Sequence, residues 1–276
     1  MRLFNKVAII GTGLIGGSIA GDIKKKRLAH QIIGVSRHKN TLTLAKKIRL
    51  IDKGSQDFGI IQDADLVVLA TPVNTILNLA DIIVKFIRKD CIVTDVGSTK
   101  KAIVSKLSKI FPNYVGSHPL AGSEKRGIMN ASTGIFKDSL CILTPTNNTS
   151  PKALKKIKDL WNHLGARVIV LSPDTHDRIL SFVSHLPHVI AFSLIGAVPG
   201  EYLKFGATGL KDTTRIASSD SRLWADIFLS NRKNMVKSIE SFQGNLSRIK
   251  SAINKKDEET LVKILRKAKG KRQILG

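Results

Sequence analysis

Aromatic side chains are scarce in this sequence: Trp, Tyr and Phe together make up 5% of its 276 residues. Proteins that grip nucleic acid stack bases on such rings and gather their cations on one face. Here the lysines are spread along the chain, and no nucleic-acid partner is expected. Cysteine is scarcer still. Cys91 in Cys-Ile-Val-Thr-Asp and Cys141 in Leu-Cys-Ile-Leu sit in apolar, strand-like runs. Their spacing fits neither a zinc site nor a redox pair, and buried free thiols point to a reducing compartment. Acidic residues are the third shortage: 21 Asp and Glu face 45 Lys and Arg, a formal charge of +24. Three readings of that excess stand in order: a Lys- and Ile-rich proteome bias on solvated faces, a positive field that steers small anions, and nucleic-acid binding last. No apolar run reaches the ~18 residues of a membrane span, and the N-terminus runs directly into a strand, with no signal peptide. The expectation is a cytoplasmic protein with no membrane partner.

What is present suits a folded enzyme-sized chain. With 42% hydrophobic residues there is apolar material for a sizeable core, which excludes disorder. Lys6–Ile10 is a short apolar run ending in glycines, and Leu14–Lys26 then has helical periodicity. Strands are expected over Gln31–Val35, Asp65–Ala70, Cys91–Thr94, Tyr114–Gly116, Leu140–Thr144 and Arg167–Leu171. Helices are expected between them, over Asn40–Leu50, Asn74–Arg88, Thr99–Lys109 and Pro151–Leu164, the last opened by a Ser-Pro start signal. Strand–helix alternation with short connections means α/β with a doubly wound, mostly parallel sheet. After Ser172-Pro173 the pattern changes to helices alone: Asp174–Val198, Leu223–Ile253 and Glu258–Lys269. The expected organisation is a Rossmann domain over 1–172 and an all-helical domain over 173–276.

Gly11-Thr12-Gly13-Leu14-Ile15-Gly16 is a G-x-G-x-x-G that follows a predicted strand and opens a predicted helix. In that context the three glycines have separate tasks. Gly11 permits a tight turn, Gly13 lets the backbone approach a pyrophosphate, and Gly16 lets helix pack close to strand. The helix N-terminus offers unpaired N–H groups to the anion. An NAD site usually places an acid at the end of the second strand to accept from the ribose 2′-OH. Here that stretch is Gly34-Val35-Ser36-Arg37-His38-Lys39, without an acid. Ser36 can donate to a 2′-phosphate and Arg37 can grip one with its planar fork, so NADP is favoured over NAD. Arg37 and Lys39 can also be read as a solvated loop. The expected cofactor set is Gly11, Thr12, Gly13, Leu14, Ile15, Gly16, Ser36, Arg37 and Thr71.

Four further segments carry a likeness: Asp95-Val96-Gly97-Ser98-Thr99-Lys100, Gly116-Ser117-His118-Pro119-Leu120-Ala121-Gly122, Ser184-His185-Leu186-Pro187-His188, and Asp212-Thr213-Thr214-Arg215-Ile216-Ala217-Ser218. With the glycine loop, and in this order over nearly the whole chain, they resemble the prephenate/arogenate dehydrogenase family. The resemblance implies oxidative decarboxylation of prephenate or arogenate to 4-hydroxyphenylpyruvate or tyrosine, with hydride transfer to a nicotinamide. It also implies a homodimer joined through the helical domain and a small anionic substrate held between the two domains.

Under that resemblance each residue has a role. His118 matches the catalytic histidine, and an imidazole titrating near neutrality suits removal of a hydroxyl proton. Ser98 matches the serine that orients the histidine and meets the substrate hydroxyl, although it could simply cap a helix starting at Thr99. His185 and His188, three apart on one helical face, match pocket residues. A metal reading of the pair would need further ligands, none is evident nearby, and no metal is expected. Arg215 matches the arginine that holds a substrate carboxylate, where a bidentate guanidinium is the natural partner. Glu124-Lys125 are weaker candidates for contact with the substrate side chain. Two alternatives stay open on the glycine loop alone: another two-domain Rossmann dehydrogenase, such as a β-hydroxyacid dehydrogenase, and a non-catalytic NADP-sensing regulator. The resemblance extends to no regulatory ligand-binding module and no fused chorismate mutase segment.

Overall fold

Buried apolar runs of four to seven residues alternate with amphipathic stretches through the first 170 residues, and this alternation builds the sheet and its cover. A computed structural model describes residues 2–122, 125 and 127–276. The chain runs β1 (Phe4–Ile10), α1 (Leu14–Lys25), β2 (Ala29–Val35), α2 (Lys39–Lys47), β3 (Lys53–Ser55), β4 (Leu66–Leu69), α3 (Val73–Ile83), β5 (Ile92–Asp95) and α4 (Lys101–Ile110). It continues through β6 (Tyr114–Pro119), β7 (Leu140–Thr144), α5 (Pro151–Leu164) and β8 (Arg167–Val170). Helices follow: α6 (Pro173–Leu180), α7 (Leu186–Ala197), α8 (Thr208–Thr214), α9 (Ser221–Ser230), α10 (Arg232–Asn254) and α11 (Glu258–Gln273).

Among the described residues the strands form one sheet in the order β3-β2-β1-β4-β5-β6-β7-β8, parallel except where β6 meets β7. The first six positions are the doubly wound order, with its switch point between β1 and β4. Period-two alternation sends Val7 and Ile9 to one face and Ala8 and Ile10 to the other. One face is covered by α1, α2 and α5, with Trp161 at its centre, and the other by α3 and α4. Because β1, β4, β5 and β6 are mutually parallel, the loops after them all emerge at one edge, where open α/β sheets bind ligands.

By packing, the chain divides into two compact units, Met1–Asn231 and Arg232–Gly276. Within the first, α6 to α9 belong with the sheet. The second is α10 and α11, joined through Lys256 at φ +54 and capped by the Asp257 side chain, which accepts from Thr260 N at 2.9 Å.

Two sequence expectations change. Leu223–Ile253 is not one helix, because it breaks at Asn231. The expectation that no apolar run reaches span length is also corrected: Pro173–Ala197 is one continuous helical run of 25 residues, apolar enough by length and composition alone to cross a membrane, with mean hydropathy 1.7 in its richest window. That run nonetheless carries Ser184, His185 and His188 into the wall of a cavity. Its middle, Ser181–His185, is a π-helical turn in which Leu186 N–H bonds to Ser181 O. Pro187 follows directly and has no N–H for the carbonyl four residues back, so the wider turn relieves the clash its ring would make.

Candidate active site

A cavity of about 950 Å³ opens over the sheet edge at the β1–β4 switch point. Its first wall is backbone. Gly11 has φ +98, and a Cβ there would lie 2.4 Å from Ala70 O. Gly16 is tighter still, because a Cβ would stand 2.0 Å from Gly11 O. At Gly13, by contrast, a Cβ would meet nothing within 4 Å, so its backbone faces open space. Gly13, Leu14 and Ile15 line the cavity, and no side chain caps the α1 N-terminus they form. Thr12 is buried beneath them and Thr71 stands opposite, after β4. Among the described residues neither hydroxyl has a hydrogen-bond partner. An anion cradle, with spare donors and room for an approaching phosphate, has this construction. Ser36 and Arg37 lie beyond the cavity lining, in the turn after β2. Ser36 Oγ accepts from His38 N at 3.3 Å, and Arg37 is exposed.

The floor is polar and deeply buried. His118, at the end of β6, lines the cavity with 9% of its surface exposed. Its Nδ1 lies 2.8 Å from Nε2 of His176, and His176 Nδ1 lies 2.8 Å from Asp177 Oδ1. The Asp177 carboxylate also accepts from Lys100 N at 2.7 Å and Lys101 N at 2.9 Å, which caps α4 from another part of the chain. Helix α4 therefore starts at Lys101 without a side-chain cap of its own, and Ser98, half-buried, is left lining the cavity. Beneath, Lys100 Nζ pairs with Asp95, both fully buried, and Tyr114 donates to the other Asp95 oxygen at 2.7 Å.

Burial, reinforced by His176, Lys100 and His185, holds the His118 imidazole well below its usual range, so it is neutral near pH 7. Burial also pulls His176 down, against the pull of Asp177. For Asp177 burial acts upward, but the His176 bond and the two backbone N–H groups outweigh it and keep the carboxyl below its usual range. It is an ionised acceptor.

The opposite wall is side chain. His185 is buried, with its Nδ1 3.3 Å from Asn231 Nδ2, and burial pushes it down to about 4. The same Asn231 amide donates to Asp177 O at 2.8 Å, which is what the break between α9 and α10 provides. His185 Nε2 has no partner among the described residues. His188 donates from Nδ1 to Ser184 O at 2.9 Å and stacks on Trp224, with ring centroids 3.5 Å apart. Burial and nearby Arg215 lower its affinity for a proton. Arg215 and Lys125 complete this end. Glu124 lies outside the described residues.

The cavity thus brings together Gly13, Leu14, Ile15, Thr71, Ser98, His118, His185, His188 and Arg215. Sequence reasoning missed His176, Asp177 and Asn231 and gave Trp224 no role. A signal for the first two was there, a His-Asp pair three residues after a Pro that opens a helix, but nothing local ties it to His118.

Residues 19–170 match the family model described as prephenate dehydrogenase, nucleotide-binding domain, and residues 172–267 match prephenate dehydrogenase, dimerization domain. The chain belongs to the prephenate dehydrogenase family. It is an oxidoreductase of that family. The prephenate dehydrogenase of Bacillus subtilis is 34% identical over 99% of this chain and 77% of its own length. The cyclohexadienyl dehydrogenase of Zymomonas mobilis is 34% identical over 100% of this chain and 97% of its own. The crystal structure of prephenate dehydrogenase from A. aeolicus, in complex with hydroxyphenyl propionate and NAD+, superposes with TM-score 0.94 at 36% identity, covering 99% of this chain and 98% of that one.

Proposed function

We propose that the chain oxidises and decarboxylates prephenate or arogenate, with NADP as hydride acceptor, as a homodimer. The observation that carries this reading is His118: a neutral imidazole at the cavity floor, between an anion cradle and an arginine. When bound, the dinucleotide supplies an acceptor for one hydride. Gly11, Gly13, Gly16 and the α1 N-terminus would hold its pyrophosphate, with Thr12 and Thr71 as spare hydroxyls. Ser36 and Arg37 would meet a 2′-phosphate, as no acid follows β2 to repel one.

His118 accepts the substrate hydroxyl proton as hydride leaves the carbinol carbon. The bond from the ring to its carboxylate then breaks, CO₂ departs, and the electron pair flows through the ring to the oxygen. His118 returns the proton to that oxygen, giving a phenol. Ser98 stands where it can meet the same hydroxyl. Arg215 holds a carboxylate, and His185 and His188 face the pocket as neutral imidazoles near pH 7.

We divide the chain functionally at Ser172-Pro173, where α/β gives way to helices. Exposed Phe182, Val183, Tyr202, Leu203 and Phe205 support an interface between copies in that helical part. The test is reduction of NADP with release of CO₂ on adding prephenate or arogenate, with light scattering at twice 30.2 kDa. No reduction with either substrate, or a monomeric active enzyme, defeats the corresponding part.

A further inference from the structure

We propose that His176 and Asp177 are positioning residues: Asp177 fixes the tautomer of His176, and His176 in turn holds His118 with Nδ1 protonated and the Nε2 lone pair available to the cavity. The inference rests on the reading of His118 as the base, and it names what makes that base competent.

The geometry leaves one assignment. An ionised carboxylate only accepts, so the proton in the 2.8 Å contact between Asp177 and His176 sits on His176 Nδ1. A neutral imidazole carries one N–H, so His176 Nε2 is a lone pair. Across the next 2.8 Å contact the proton must then sit on His118 Nδ1, which leaves His118 Nε2 as the acceptor. The reverse tautomer of His176 would set its Nδ1 lone pair against the Asp177 carboxylate, acceptor against acceptor, and at 0% exposure His176 is sealed from solvent that could relieve this. The carboxylate that begins the chain cannot swing away. Its two oxygens also hold the N–H groups of Lys100 and Lys101, at the cap and first residue of α4, and the Asp177 carbonyl is held by Asn231. Once His118 takes a proton, the new imidazolium keeps its bond to His176, with the Asp177 charge one ring beyond. A serine hydrolase aligns its histidine in the same way, through a buried aspartate that fixes the tautomer. Here the carboxylate acts through a second ring.

Two further groups act on His118, and a third, Asp95, engages one of them. Lys100, before α4, and His185, in the π turn, both oppose its protonation. Asp95 on β5 pairs with Lys100 and accepts from Tyr114 on β6. None of these touches His118 Nδ1, so none substitutes for His176.

The experiment compares His176→Gln with His176→Leu in the full chain. A Gln amide can accept from His118 and donate to Asp177, whereas Leu can do neither. His176→Leu should lower kcat on the order of 10²-fold with the substrate KM changed only a few-fold, and His176→Gln should recover at least about tenfold of that loss. Equal kcat for the two variants overturns the proposal. A second measurement needs no turnover: nitrogen-15 imidazole spectra of the parent, assigned with His118→Asn. They should show His118 neutral and protonated on Nδ1 between about pH 6 and 8. Protonation on Nε2 overturns the proposal even if both variants fail to fold. A parent that turns over neither cyclohexadienol defeats the proposed reaction, while the spectra still decide the tautomer.

Discussion

The two walls of the cavity are made of different material. On the glycine side, Gly13 turns its backbone to open space, and Gly11 and Gly16 have no room for a Cβ, so the path of the main chain sets the surface. On the helical side it is rings and a guanidinium: His185, His188, Trp224 and Arg215. Backbone N–H groups at a helix start suit a phosphate, whose charge is the same in every dinucleotide. Side chains with chosen tautomers suit a small substrate that must be told from its relatives by single contacts. His118 stands where the two meet, on a sheet strand but governed by α6. The difference teaches that one wall is fixed by the path of the chain and the other by protonation states, and each can be disturbed without the other.

The sharpest way to break this comparison is at the junction. His118→Asn should lower kcat by about 10²–10⁴-fold, keep much of the substrate affinity, and leave nucleotide affinity unchanged, as steady-state kinetics and nucleotide titration would show. Near-parental kcat would move the base elsewhere, with His188 the next candidate. Because His118 is held well below its usual range, the acid limb of kcat/KM should fall below about pH 6.5.

Arg215→Ala tests the helical wall alone. An anion left unpaired in the pocket costs ~2–5 kcal/mol, so the substrate KM should rise steeply while the nucleotide KM stays put. If both rise together, the walls are not separable. Ser36→Asp tests the other side. A carboxylate placed near a 2′-phosphate costs roughly 1–4 kcal/mol at a contact of ~4 Å, depending on the local dielectric. The ratio of kcat/KM for NADP over NAD should fall, with the substrate KM unaffected. Better kcat/KM with NAD in the parent would defeat the NADP reading.

The two walls also differ in how far they could be read from sequence. The glycine loop was legible because its reasons are local: a strand, a turn and a helix within one stretch. Helix α5 was legible to the residue, since Ser150-Pro151 opens it and Gly165, at φ +98, closes it. The three-residue β3, Lys-Gly-Ser, has no apolar pattern to betray it. Asn231 was hidden inside what reads as one long amphipathic helix, because periodicity does not reveal that a single amide is needed by His185 and by Asp177 O. His176 and Asp177 lie 58 and 59 positions from His118, and Asp177 is 77 from the helix start it caps at Lys100. Such partnerships exist only in the folded chain.

A measurement without any ligand sharpens the comparison most cleanly, because it reads protonation alone. Three of the four cavity-side histidines, His176, His185 and His188, come from the helical wall, and His118 from the sheet. Burial is the leading cause holding all four below their usual range, with His185 down to about 4. In the unfolded chain each protonates near pH 6.5. Below that pH the unfolded state binds more protons than the folded one, so stability is full above about 6.5 and falls as the pH drops. Each histidine contributes a slope of ~1.4 kcal/mol per pH unit until its folded pKa is reached. His185 alone should carry that slope from about 6.5 to about 4. Urea midpoints measured from about pH 8 to pH 5 should therefore decline through the histidine range, and His185→Gln should flatten the decline by about one histidine's share. A midpoint that stays level over that interval would mean the helical wall is already charged or open to water, and its contrast with the backbone wall would be lost.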